Sequence, residues 1–181
     1  MSNHFARGPL AQHNLFFAIR PPADKVGEIV DLTAALRRKI GGRPLRPDRL
    51  HITLLPLVVG REGPRRIREA RAAADSVRRP PLYVIFDSAV GALNSALLKP
   101  SEPIGALRMF REDLRAALMH FGVPIHRNER FSPHVTLLYG GQLMPEIPVD
   151  YVSWIAEEFV LIDSLVGQRR HVELGRWRLA A

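Results

Sequence analysis

At 181 residues the chain has room for one domain, or for two small lobes sharing a core, and a 46% hydrophobic content fills that core without staples. The absence of cysteine excludes disulfides, thiolate zinc sites, iron–sulfur clusters and cysteine nucleophiles. No apolar run approaches the roughly 18 residues that span a bilayer. The net charge is +8 with a pI near 10.9, and only three of the 26 basic residues are lysines. That is either an arginine surface suited to phosphate oxygens or a compositional bias with no bearing on ligands. Residues 1–13 lack the apolar stretch of a secretion signal, so they read as a flexible tail on a cytoplasmic protein. Residues 14–181 form the single domain.

Leu15 to Ile19 is a short apolar run stopped by Arg20-Pro21-Pro22, which predicts a buried strand. From Ala23 to Ile40 apolar residues recur at helical spacing, and Gly41-Gly42 closes the helix. A loop rich in Pro and Arg (43–49) leads into a strand over 50–57. Residues 62–79 predict a largely solvated helix, because their apolar face is thin. Leu82 to Phe86 reads as a strand, with Ala96 to Lys99 as its hairpin partner across Gly91-Ala92. The strongest helix is 103–121, with one stripe through Ile104, Leu107, Phe110, Leu114, Leu118 and Phe121 and Gly122 as its cap. A strand over 133–139 and two or three more within 151–166 and 171–179 finish an α+β chain. Strand, helix, loop and a His-x-Thr strand occur at 15–57 and recur at 96–139. Duplicated lobes about a pseudo-two-fold axis would set the two His-x-Thr strands side by side; accidental similarity of spacing is the alternative.

The chain has three threonines, and two of them follow a histidine by two positions, in HITLL (51–55) and HVTLL (134–138). Chance predicts about 0.1 such pairs from seven histidines and three threonines, so two with the same continuation form a specific signal. Residues i and i+2 of a strand face one side, so His51 projects with Thr53 and His134 with Thr136. Imidazole exchanges a proton near neutral pH, and a threonine hydroxyl donates to a phosphate oxygen. Two such pairs across a cleft supply the base, acid and hydroxyls that in-line attack at phosphorus needs, with no metal. His4, His13, His120, His126 and His171 share no such context and read as incidental.

LHITLLPLVVG together with RFSPHVTLLYG resembles the two signature motifs of the 2H phosphoesterase superfamily, in particular its bacterial 2′-5′ RNA ligase or RNA 2′,3′-cyclic phosphodiesterase group. NLFFAIRPP at the start and VLIDSLVGQRRHVELGRWRL at the end extend the resemblance over most of the chain. The resemblance implies a bilobal, duplicated α+β fold with two antiparallel-rich sheets, helices outside and a central cleft. It implies His51 and His134 as catalytic residues, and Thr53, Thr136 and Arg130 as phosphate ligands, with Phe131 beside Arg130. Many members carry Arg where this chain has Tyr139, which strict alternation puts on the face opposite His134. Phe16 or Phe17 could stack on a base; the alternative for both is core packing.

These readings make the protein a metal-independent, cofactor-free phosphodiesterase that opens ribose 2′,3′-cyclic phosphates to 2′-phosphates, with 2′-5′ ligation as the reverse chemistry. Its expected partners are RNA 3′ ends or cyclic nucleotides and no membrane; the sequence leaves the oligomeric state open and is compatible with a monomer. The rival readings are an RNA-end or nucleotide-binding module with little turnover, and a metallohydrolase for which no HExxH spacing exists. Neither a GxxxxGK[ST] loop nor a GxSxG elbow is present.

Overall fold

The computed structural model describes residues 13–58, 63–125, 131–165, 168 and 170–180. Its order is β1 (His13–Ile19), α1 (Ala23–Ile40), β2 (Arg43–Pro44), a 3₁₀ turn (Pro47–Arg49), β3 (Ile52–Pro56), α2 (Gly63–Ser76), β4 (Leu82–Ala92), β5 (Ser95–Lys99), α3 (Gly105–His120), β6 (Val135–Tyr139), β7 (Met144–Ala156), β8 (Glu158–Leu165) and β9 (Arg170–Arg178). The architecture is α+β, as the sequence predicts. His13, the last residue of the expected tail, belongs to β1 and pairs with Leu165; residues 1–12 lie outside the described residues.

The helix bounds follow from local chemistry. α1 turns Ile29, Thr33, Leu36 and Ile40 inward at spacings of four, three and four, and Gly41 ends it at φ 72°. The α3 C-terminus is a Schellman motif: Gly122 at φ 72° lets its N–H reach Met119 O (3.1 Å) while the Val123 N–H reaches Leu118 O (2.8 Å). α2 buries only Ala70, Ala73 and Ala74, the thin face expected of it, and packs on α3. The first hairpin turns through Leu93-Asn94, because Ala92 pairs with Ser95; Gly91-Ala92 is therefore strand, not turn.

The sequence reading expects two sheets. The strands instead join into one, in the order β7-β4-β5-β6-β3-β1-β8-β9 with β2 on β6, and each registered pair is antiparallel. The join at its middle is slight: β3 and β6 share one registered pair, Ile52 with Val135. α1 packs on β6 and β7, while α3 lies behind β3 and β4. Between them sits a core anchored by an aromatic knot. Phe17 of β1, Phe159 of β8 and Trp177 of β9 pack at centroid distances of 5.4–6.0 Å, and Phe110 of α3 meets Phe159 edge-on at 5.0 Å. Trp177 also donates from Nε1 to Asp75 of α2 (2.5 Å).

Phe17 is 0% exposed in that knot, so it has no face left for a nucleobase, contrary to one of the two aromatic expectations. Truncation there leaves a cavity that the four-element knot cannot close. Phe17→Ala is expected to lower unfolding free energy by about 3–5 kcal/mol in urea titration; a loss below about 1 kcal/mol contradicts this packing.

Candidate active site

Alternation along β3 and β6 sorts their side chains. Ile52 and Leu54 of β3, with Val135 and Leu137 of β6, point into the core, leaving His51, Thr53, His134 and Thr136 half-buried on the other face. Extending the Ile52–Val135 register by one residue each way sets His51 opposite Thr136 and Thr53 opposite His134. Each histidine sits one residue before that pair, so the two imidazoles emerge on the same face on either side of it. The expectation that two His-x-Thr strands 83 positions apart lie side by side is met at the Ile52–Val135 pair.

Both rings are held in the same way. His51 Nδ1 donates to Arg49 O at 2.6 Å, and His134 Nδ1 donates to Ser132 O at 2.8 Å. A carbonyl can only accept, so the neutral ring keeps its proton on Nδ1 and leaves Nε2 free in each case. Each carbonyl belongs to the residue two before its histidine, so the backbone entering the strand sets the tautomer.

A hollow of about 410 Å³ opens beside His51 and Thr53, lined also by Asn14, Phe16, Arg49, Tyr139 and His171. Three other hollows of about 480–570 Å³ contain no histidine. Phe16 stacks on His51 at 4.9 Å and 26° and meets His171 edge-on at 5.7 Å; the two imidazoles are 5.4 Å apart. This cage takes water away from His51 and pushes its pKa down from 6.5 to about 4; the Arg49 carbonyl opposes the shift, while positive charge on His134, Arg49 and Arg20 adds to it. His171 falls to about 4 as well, first through burial and then through His51, Arg49 and Arg20.

Several expectations need adjustment here. Tyr139 lines the hollow instead of facing away: Leu97 pairs with Thr136 but Ala96 with Leu138, so β6 carries one extra residue and its alternation changes phase. His171, read as incidental, is a wall of the site, and Arg49, read as loop, is another. His171 reaches His51 only through the order β3-β1-β8-β9, a relation across 120 residues that no local pattern encodes. Arg49 shares the parity of His51 and Thr53, the one signal that marked it. Arg130 lies outside the described residues, while Phe131 packs under the Arg111 guanidinium at 4.9 Å. Among the described residues no three His, Asp or Glu side chains converge as a metal-ligand group.

Residues 21–162 match the family model described as the 2′-5′ RNA ligase superfamily. The chain belongs to that superfamily. It is 30% identical over 171 residues to an RNA 2′,3′-cyclic phosphodiesterase of Escherichia coli strain K12, covering 91% of this chain and 96% of that one. E. coli LigT solved with 3′-AMP superposes with a TM-score of 0.78 at 29% identity, over 93% of this chain and 99% of that one. TT0787 of Thermus thermophilus shares the fold (TM-score 0.73, 23% identity, 92% and 97% covered). On this superfamily scaffold, α3 adds a brace behind the motif strands. Arg111, only 7% exposed, donates from Nε to Leu54 O (3.0 Å) on β3 and covers Phe131 ahead of β6.

The cage has a pH consequence. His51 and His171 titrate near pH 4 folded and near 6.5 unfolded, so the unfolded chain takes up their protons first. Stability is therefore full above about pH 6.5 and declines as pH falls toward 4. The urea midpoint should drop over that window in the wild type and drop less in His171→Asn; equal slopes in both proteins contradict burial as the cause.

Proposed function

We propose that the protein is a metal-independent phosphodiesterase that opens ribose 2′,3′-cyclic phosphates, at RNA 3′ ends or on nucleotides, to 2′-phosphates. The observation that supports it most directly is the pairing of the two His-x-Thr strands, with each Nδ1 held by a backbone carbonyl so that the neutral ring keeps Nε2 unprotonated. One imidazole takes a proton from water as the water oxygen attacks phosphorus. The P–O3′ bond breaks, and the other ring, protonated on both nitrogens as an imidazolium, gives its Nε2 proton to the departing O3′. Thr53 and Thr136 donate to the non-bridging oxygens, whose charge grows in the transition state. The half-sheets β7-β4-β5-β6 and β3-β1-β8-β9 act as two lobes, and their junction is the cleft that receives the phosphate. Phe16, partly exposed on that side, is the aromatic available to the nucleobase. The family and the E. coli 2′,3′-cyclic phosphodiesterase agree with this chemistry. Replacing water by a ribose 5′-hydroxyl as the attacking group gives 2′-5′ ligation with the same two proton transfers.

Turnover of a 2′,3′-cyclic mononucleotide in excess chelator is the test. His51→Ala and His134→Ala should each lose roughly 10²- to 10⁴-fold in kcat, with the 2′-phosphate as the wild-type product. Variants at wild-type rates, or wild-type turnover abolished by chelator, end this reading.

A further inference from the structure

Arg49 occupies an unusual electrostatic position. Its guanidinium lines the hollow, yet its hydrogen-bond partner is a neutral ring: Nε and Nη2 lie 3.4 and 3.3 Å from His171 Nε2. Arginine only donates, so His171 accepts on Nε2. The neighbouring carboxylate, Asp48, is taken by a two-pronged contact from Arg46 at 3.0 and 2.9 Å. Arg20, the other cation that acts on both imidazoles, is paired with Glu173 at 3.3 Å. Among the described residues Arg49 has no carboxylate partner, so its charge stands uncompensated beside His51 and Thr53.

This arrangement leaves one polar atom of His171 unsatisfied. Its Nδ1 is buried without a hydrogen-bond partner among the described residues, a cost when a polar atom leaves water. What the ring does provide is an acceptor with no charge of its own. It fixes the guanidinium plane and leaves the remaining N–H groups and the full positive charge for something else. A carboxylate at position 171 would hold the arginine more tightly and cancel the charge.

We propose that Arg49 is a phosphate-binding arm of the site and that His171 is the residue that positions it. The ligand is a phosphate oxyanion of a ribonucleotide, either the cyclic phosphate itself or the phosphodiester on its 5′ side. Charge-assisted N–H donors in a fixed fork suit such oxygens. The substitution needed to test this is mild, because the residue 49 carbonyl that orients His51 is present whatever the side chain.

The substrate in this inference rests on the phosphodiesterase reading, but binding can be measured without turnover. Inorganic phosphate, a 2′,3′-cyclic mononucleotide and a dinucleotide ending in a 2′,3′-cyclic phosphate are titrated or turned over with wild type, Arg49→Gln, His171→Phe, His171→Gln and the Arg49→Gln/His171→Phe double variant. Arg49→Gln should weaken Kd or raise KM by roughly 10- to 100-fold with a smaller change in kcat. His171→Phe should share that penalty, His171→Gln, which keeps a neutral acceptor, should recover most of it, and the double variant should bind no worse than Arg49→Gln. An equal penalty on mononucleotide and dinucleotide assigns the arm to the cyclic phosphate; a penalty on the dinucleotide alone assigns it to the adjacent phosphodiester. Wild-type values for Arg49→Gln on all three probes overturn the proposal, and wild-type affinity in a folded His171→Phe overturns the positioning role. Phosphate binding that depends on Arg49 in a wild type that turns nothing over removes the phosphodiesterase reading and leaves this one standing.

Discussion

The site depends on how β3 meets β6. Their one registered pair, Ile52 with Val135, is the point at which the two half-sheets become one. Because side chains alternate with a period of two, that pair decides where four functional groups go. A slip of one residue would drive His51 and Thr53 into the core and bring Ile52 and Leu54 to the surface, so burial on the helix side enforces the register. Arg111 reinforces it from behind, since its bond to Leu54 O and its cover over Phe131 tie both motif strands to one side chain of α3. A guanidinium is an expensive group to bury, and here its hydrogen bonds and a facing aromatic ring offset that cost.

The symmetry of the arrangement stops at the backbone. Each histidine is oriented by the carbonyl two residues before it, and each has a threonine across the ladder. Their neighbours differ. His51 is enclosed by Phe16 and His171, and the nearby arginines add positive charge; among the described residues His134 has neither an aromatic ring contact nor a second imidazole against it. In the proposed reaction two chemically identical side chains do opposite proton transfers, which calls for unlike surroundings such as this asymmetric packing. The depression of His51 belongs to the free protein. Burial is its main cause, and the positive charges of His134, Arg49 and Arg20 add to it.

Much of this was legible from local pattern. The α1 bounds fall where periodicity and Gly41 put them, and the His-x-Thr pairs face one side because alternation holds through β3 and the start of β6. Legibility fails at each point where tertiary pairing overrides the local rule. The extra residue in β6 brings Tyr139 round to the hollow, and only the partner strand β5 reveals it. Phe16 and Phe17 were equivalent as sequence neighbours; the choice between site and core depends on which face α3 covers. The hairpin turn slid two residues past the glycine that marked it, because β4 keeps pairing with β5 as far as Ala92. His171 was invisible for a different reason: its meaning comes from being the fourth strand along, not from its neighbours in the chain.

The 3₁₀ turn Pro47–Arg49 shows how little chain such a site requires. Proline at its first position fixes the backbone where the Arg49 N–H returns to Arg46 O at 2.9 Å. The turn then presents two groups from a single residue: a carbonyl aimed at His51 Nδ1 and a guanidinium laid against His171. The carbonyl holds the proton of the neutral His51 ring on Nδ1, and the guanidinium adds to the positive charge that ring experiences. Both are fixed by the same few backbone angles, so the tautomer and the electrostatics of His51 are coupled at their origin. A change in the turn that moved one would move the other, which makes Pro47–Arg49 as much a part of the site as the strand that follows it.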